Sequence, residues 1–177
     1  MQADSRSLTQ AIFVAKVLNR EINTPGGEPA VVFNDLLKLV TGRFTGNPEA
    51  LMTRINASSA LRKQYAALVQ TQGYAFSATC AAASNGHEFA TRQNEQFSLR
   101  FKRDTLDARQ IFALLQIFHP TERHNSEAVL VHVFNQHHCE RLEFPALIAG
   151  TTQLLFDQAD KQLQLLLDAD AQISIMP

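Results

Sequence analysis

The sequence has no tryptophan and only two cysteines, which already excludes several classes of protein. Two cysteines, Cys80 and Cys139, are too few for the disulfide framework of a small secreted domain. No apolar run approaches the ~20 residues that a membrane-spanning helix needs. The N-terminus does not resemble a signal peptide, because Asp4 and Lys16 carry charge where the pattern forbids it. We therefore expect a cytoplasmic protein with reduced cysteines. A single disulfide between Cys80 and Cys139 is the alternative.

The sequence also lacks the motifs that bind nucleotides or expose a serine nucleophile. With 7 glycines in 177 residues, it contains no glycine-rich phosphate loop, no P-loop and no G-x-S-x-G turn. The absence of these motifs makes an enzyme less expected without excluding one.

What the sequence does contain is typical of one globular domain. A hydrophobic fraction of 45%, a charged fraction of 19% and 12 phenylalanines are enough for a core that needs no disulfide or metal. The net charge of -1 hides an asymmetry. Residues 1–103 carry 12 basic and 7 acidic side chains, whereas residues 104–177 carry 4 basic and 10 acidic ones. This pattern indicates either scattered solvated charge or attraction between copies of the chain or to an anion.

Helical periodicity dominates the first 73 residues. Apolar residues at helical spacing predict a helix over Leu8–Ile22. They predict a second helix that follows Pro29 and ends at Gly42, where a left-handed cap is expected. Asn47-Pro48-Glu49 predicts the next helix start, because it offers a capping side chain, a proline at the first position and an acid. Asn56–Ser59 is a candidate interruption, and Gly73 ends the helical part.

After Gly73 the spacing of apolar residues changes from about four to two, which is typical of strands. The predicted strands and turns are Tyr74–Cys80, a Ser84–Gly86 turn, Phe97–Arg103, Ile111–Phe118, a Thr121–Ser126 loop, Ala128–Phe134, an Asn135–His138 turn, Arg141–Phe144, and a hairpin of Leu154–Phe156 with Gln162–Leu167, followed by Ile173–Ile175. The spacing in Ile111–Phe118 also fits a helix, but its short length and its β-branched and aromatic residues favour a strand. Ala128–Phe134 is apolar on both faces, so it predicts a central strand covered on both sides.

These elements predict an α+β protein. Three or four N-terminal helices would pack on a C-terminal antiparallel β-sandwich or curled sheet, because strands in series without intervening helices pair antiparallel. We predict a helical part over residues 1–73 and a β part over residues 74–177, together forming one compact unit.

A histidine cluster is the strongest candidate for chemistry. Five of the six histidines lie between His119 and His138, and His132, His137, His138 and Cys139 are candidate ligands of zinc or another transition metal. The spacing matches no standard zinc pattern, and a polar hairpin end is the alternative.

Cys139 is also a candidate nucleophile if an imidazole activates its thiol, with Glu140 or Glu143 as the orienting acid. Neighbouring residues of a strand point to opposite faces, however, so packing is the alternative role of Cys139.

Other charged residues are grouped without a recognisable motif. The acidic pairs Asp157 with Asp160 and Asp168 with Asp170 could hold a cation or keep turns and edges soluble. The basic group comprises Arg62, Lys63, Arg100, Lys102 and Arg103. Nucleic-acid binding would need more excess charge and exposed aromatic side chains.

We identify no family from the sequence. The leading hypothesis is a non-catalytic cytoplasmic protein-interaction or regulatory module that binds a protein partner or itself, as a homo-oligomer without a cofactor. The alternative is a metal-dependent or thiol enzyme centred on His132–Cys139. The third is a DNA-binding regulator that uses the helical part.

Overall fold

The computed structural model describes residues 31–77, 89 and 91–176. The helices within these ranges are α1 (Phe33–Val40), α2 (Pro48–Ala57), α3 (Ser59–Gln72), α4 (Glu122–Ser126) and α5 (Lys161–Leu167). The strands are β1 (Ala75–Ser77), β2 (Arg92–Gln93), β3 (Phe97–Arg103), β4 (Gln110–Ile117), β5 (Val129–Phe134), β6 (Cys139–Phe144), β7 (Thr151–Asp157) and β8 (Gln172–Ile175). The predicted Leu8–Ile22 helix and Ser84–Gly86 turn lie outside the described residues.

Four boundary features of α1, α2 and α3 lie where the sequence predicts them. The Asn47 side chain accepts a hydrogen bond from the Ala50 backbone N–H at 3.1 Å, which caps α2. Gly42 has a φ of +73°, the left-handed conformation that follows a helix end. Ser58 separates α2 from α3 and caps α3 with its side chain. Gly73 ends α3, so these four predictions are confirmed.

The strands form two antiparallel sheets of four strands each. Sheet I has the order β1-β8-β5-β6, and sheet II has the order β2-β3-β4-β7. Every strand pair in both sheets is antiparallel. Strand β5 lies between β8 and β6, so its predicted central position is confirmed.

Strand β5 is buried at every position because both of its faces are covered. Val129, Val131 and Val133 pack in one apolar cluster with residues of sheet II and α5. Leu130 and Phe134 point the other way and pack in a second cluster with α1, α2 and α3. The helices therefore cover the face of sheet I that sheet II does not, and burial on this scale is the main stabilising term.

Two predictions about the second half of the chain are wrong. The predicted loop Thr121–Ser126 contains α4, which begins with a reciprocal cap between Thr121 and His124. The predicted strand Gln162–Leu167 is α5, so the hairpin over Asp157–Lys161 does not form. Its sequence has no β-branched residue and consists of good helix formers, which the alternation of apolar residues concealed.

The α+β class with antiparallel sheets is thus confirmed, although helices return after Gly73. The finer description as a sandwich or a curled sheet stays a prediction. None of the helices in the described ranges is long and apolar enough to cross a membrane.

Candidate functional site

The clustered histidines occupy different environments in the fold. His119 and His137 are exposed. His138 is half-buried, and its Nε2 lies 2.6 Å from Oε1 of Glu140. His124 is buried in α4, where its ring bonds to a main-chain carbonyl oxygen at 2.6 Å. These four side chains therefore either contact different partners or are exposed to solvent.

His132 is fully buried on the helix-covered face of β5, beneath α3. The Tyr65 hydroxyl lies 2.5 Å from Nδ1 of His132, and Nε2 lies 3.1 Å from the Val40 carbonyl oxygen. A carbonyl only accepts, so Nε2 donates to Val40 and Tyr65 donates to Nδ1. Burial, assisted by the charge of Arg141, lowers the pKa of His132 to about 3. The neutral ring is therefore part of the interior and does not reach solvent.

Cys139 is buried at the start of β6, where only 1% of its surface is exposed. Burial is the main cause that raises the pKa of its thiol to about 12. The protonated thiol is a poor nucleophile and a poor metal ligand at neutral pH. Among the described residues, no group of three or more His, Cys, Asp or Glu side chains is placed to hold a metal ion.

Asn56 on α2 binds the backbone of Cys139 as a neighbouring strand would. Its Nδ2 donates to the Cys139 carbonyl oxygen at 2.9 Å, and its Oδ1 accepts from the Cys139 N–H at 2.8 Å. Strand β6 is an edge strand of sheet I. This one side chain therefore satisfies two outward backbone groups at the start of that edge and attaches the helical layer to the sheet.

Replacing Asn56 by aspartate is expected to lower the free energy of unfolding by about 1–3 kcal/mol, because a carboxylate oxygen would face the Cys139 carbonyl oxygen. Urea unfolding of the variant measures this loss. Asn34→Asp is the matched control, since Asn34 is exposed in the first turn of α1 and an acid there is favourable. Equal urea midpoints for the two variants would show that the Asn56–Cys139 hydrogen bonds do not stabilise the fold.

An open groove of about 800 Å³ brings together several charged residues that the sequence singles out. Its lining includes Arg62 and Lys63 of α3, Asp168 and Asp170 after α5, and the exposed His137. The Asn135 side chain donates to Asp168 at 2.7 Å, and this bond is the main cause that lowers the Asp168 pKa. The groove is therefore lined by side chains of both charge signs.

The other predicted charged residues take part in turns and exposed sheet surface. Arg100 and Lys102 are exposed on β3. Arg103 lies over the Phe89 ring at 5.6 Å. The Asp160 side chain accepts from the Asp157 N–H at 2.9 Å. The acidic pair Asp157 and Asp160 thus shapes a turn.

Within the described residues, some main-chain groups on the outer edge of β7 have no hydrogen-bond partner. Gly150 and Gln158 flank this strand and hydrogen-bond towards β4. The Gly150 carbonyl accepts from the Ile117 N–H, and the Gln158 N–H donates to the Arg109 carbonyl. Hydrogen-bonding direction alternates along an antiparallel strand. Residues 152, 154 and 156 therefore bond to β4, and the backbone groups of the odd-numbered residues point away from the sheet.

The open part of this edge is limited to two residues. The N–H and carbonyl of Thr151 both pair with Ile148. The N–H of Asp157 is bound by the Asp160 side chain and its carbonyl by the Asp160 N–H. Between them, no hydrogen bond of the described residues reaches the backbone of Gln153 or Leu155. Two donors and two acceptors are therefore open to an added strand.

Apolar surface surrounds these open groups. Leu155 is 48% exposed and Ile148 is 81% exposed. A groove of about 380 Å³ lies beside Thr151–Gln153 and is lined in part by Arg100, Leu114, Pro145 and Ile148. We define the β7 edge as Thr151–Asp157 together with this groove, and it is the candidate functional site.

Sequence reasoning missed the residues that organise these surfaces. It predicts Leu154–Phe156 as a strand, but only the strand order shows that this strand lies at an edge. It gives no role to Arg92, which is buried and bonds to the carbonyl oxygens of Leu166, Asp168 and Ala171. The one feature of the sequence that could have indicated this buried role is that Arg92 lies in a largely uncharged stretch.

No family model matches this sequence, and comparison with curated proteins and with solved structures finds no similar chain.

Proposed function

We propose that this protein is a non-catalytic interaction module that binds an extended protein segment at the β7 edge. The observation that carries the proposal is the set of open backbone donors and acceptors at Gln153 and Leu155. An extended segment can pair with them as an additional strand, so that main-chain hydrogen bonds supply affinity and flanking side chains supply specificity.

The other edges of the two sheets carry features that disfavour an added strand. Strands β1 and β2 have only 3 and 2 residues. The edge of β6 is bound by Asn56 at one end, and its next outward positions are Arg141 and Glu143, joined by an ion pair of 2.7 Å. Short edges and edge charges are the usual protections against strand addition. Strand β7 has 7 residues and no charge before Asp157.

The surroundings of the edge indicate what the partner segment looks like. A strand beside β7 places alternate side chains next to Leu155 and over the 380 Å³ groove. Leu114 and Ile148 favour an apolar side chain there. Arg100 in the same lining favours an acidic over a basic residue in the flanking position. We therefore propose an uncharged or weakly acidic partner segment with alternating apolar residues.

Selection from a library of random extended peptides on the immobilised full chain tests this proposal. Gln153→Pro is the discriminating variant. It removes one open N–H, and proline is tolerated where an edge N–H faces solvent. We expect selected peptides to alternate apolar and polar residues and to lose at least about tenfold in affinity for Gln153→Pro, since one bond and the strand geometry are lost.

Gln153→Ala is the matched control, because it shortens the same side chain but keeps the N–H. Circular dichroism of both variants checks that the sheets are intact. Strand addition at β7 would be ruled out by peptides that bind the wild-type chain and Gln153→Pro with equal affinity, or by a monomeric chain for which the library yields no binder.

The remaining parts of this hypothesis rest on the sequence. The cytoplasmic location, the regulatory role and the absence of a cofactor stay predictions. The alternatives of a metal-dependent or thiol enzyme and of a DNA-binding regulator gain no supporting contact in the described parts of the chain, where Cys139 is buried and His132 is held by Tyr65.

A further inference from the structure

We infer that the segment received by the β7 edge is β7 of a second copy of this chain, which gives a two-fold dimer with a continuous sheet across the interface. This inference rests on the proposed function of the β7 edge and names its partner. The argument comes from the spacing of the open backbone groups, the side chains beside them and the charges at the ends of the strand.

The open backbone groups are complementary to themselves. Gln153 and Leu155 are two residues apart, and each presents an outward N–H and carbonyl. In an antiparallel pair centred on Leu154, Gln153 of one copy faces Leu155 of the other, and the reverse holds by symmetry. Each facing pair exchanges two hydrogen bonds, so all open groups of both copies are used. If the pair were centred on Gln153, Leu155 would instead face Thr151, whose backbone N–H and carbonyl are already bound by Ile148.

The same arrangement matches the side chains and charges. At its centre, the half-buried Leu154 side chains of the two copies meet on the core side of the sheets. On the outer side, the 48% exposed Leu155 is covered by Gln153 of the other copy. Pairing ends before Asp157, because Ile148 already occupies the edge beside Thr151. The two Asp157 carboxylates therefore lie beyond the paired residues, at opposite ends of the pair. No like charges are brought into opposition, which would be destabilising.

The two-fold geometry also stops at the dimer. Pairing uses the β7 edge of both copies, so neither retains it for a third. The remaining edges in the described part of the chain are short or carry Asn56, Arg141 and Glu143. A closed dimer rather than a fibre is expected.

Sedimentation velocity of the full chain at roughly 1–100 µM, a range that captures weak association, tests the inference. We expect a species of twice the chain mass. Gln153→Pro should raise the dissociation constant of this dimer at least tenfold, whereas Gln153→Ala should leave it unchanged. The dimer should be insensitive to salt, because the paired segments carry no charge between Thr151 and Phe156.

Cysteine crosslinking tests the register. Leu154→Cys places two thiols opposite each other at a non-hydrogen-bonded site, where the Cα atoms lie about 4.5 Å apart, within disulfide reach. Mild oxidation should therefore yield a covalent dimer. Thr152→Cys is the control, since position 152 faces position 156 of the other copy. The wild-type chain gives the background from Cys80 and Cys139.

The outcomes separate this inference from the proposed function. A monomer throughout, a dimer that dissociates in salt, or a dimer that Gln153→Pro leaves intact would overturn self-pairing. If that monomer still binds selected peptides in a Gln153→Pro-sensitive manner, the interaction module stands and only its partner is wrong. If neither association nor peptide binding occurs, both fail.

Discussion

Replacing Arg92 by methionine is expected to lower the free energy of unfolding by about 3 kcal/mol or more. The Arg92 side chain is 1% exposed. Its Nε donates to the Leu166 carbonyl oxygen at 3.0 Å and its Nη1 to that of Ala171 at 2.7 Å, and Nη2 bonds to that of Asp168. These carbonyls lie at the end of α5 and in the turn that follows, where the helix dipole favours a cation. Methionine fills similar space but leaves these acceptors without their donor.

Urea unfolding measures this effect, with Arg100→Met as the matched control. Arg100 is exposed on β3, and its bond to the Gln116 side chain is 3.5 Å long, so its replacement is expected to cost no more than about 0.5 kcal/mol. Arg92→Lys keeps the charge but not the fork of donors and should restore only part of the loss. A midpoint for Arg92→Met no lower than that for Arg100→Met would contradict this role.

The folded chain is expected to lose about 2 kcal/mol of stability between about pH 7.5 and pH 5 through His132 alone. Burial is the first cause of its low pKa, about 3 in the folded chain against 6.5 in the unfolded one. Below pH 6.5 the unfolded chain therefore takes up a proton that the folded chain cannot. The contribution of the neutral His132 ring to stability is therefore complete above this pH and is lost as the pH decreases towards 3.

Urea unfolding of wild type and His132→Gln at both pH values isolates this contribution, since the variant has no ring to titrate. The pH-dependent difference should shrink by about 2 kcal/mol in the variant. If His132→Gln does not fold, the NMR signal of the His132 ring in the wild-type chain gives the answer. A ring that titrates near pH 6.5 in the folded protein would refute its burial as a neutral group.

The sequence predicted elements well where local chemistry decides them. Asn47 before Pro48 and Gly42 after an apolar stripe specify helix ends through capping and backbone conformation, and both lie as expected. It failed at Gln162–Leu167, where short apolar spacing fits both periods. There the buried Leu163 and Leu166 and the carbonyl contacts of Arg92 accompany a helix.

The candidate site was less predictable, because it depends on neighbours far away in the chain. The clustered histidines are close in sequence, yet β5, α4 and the β5–β6 turn direct them to different surroundings. The sequence predicted many short strands, but it did not show which of them lies at a sheet edge.

The sequence by itself determined the α+β class, the caps at Gly42 and Asn47 and the doubly apolar strand β5, because local backbone preferences and side-chain periodicity are enough for these. Only the tertiary structure decided that His132 is buried beside Tyr65 and that Asn56 covers one end of β6. It also decided that no other described residue hydrogen-bonds to the backbone of Gln153 or Leu155. Those features arise from strand order and layer packing, which join residues that no local pattern connects.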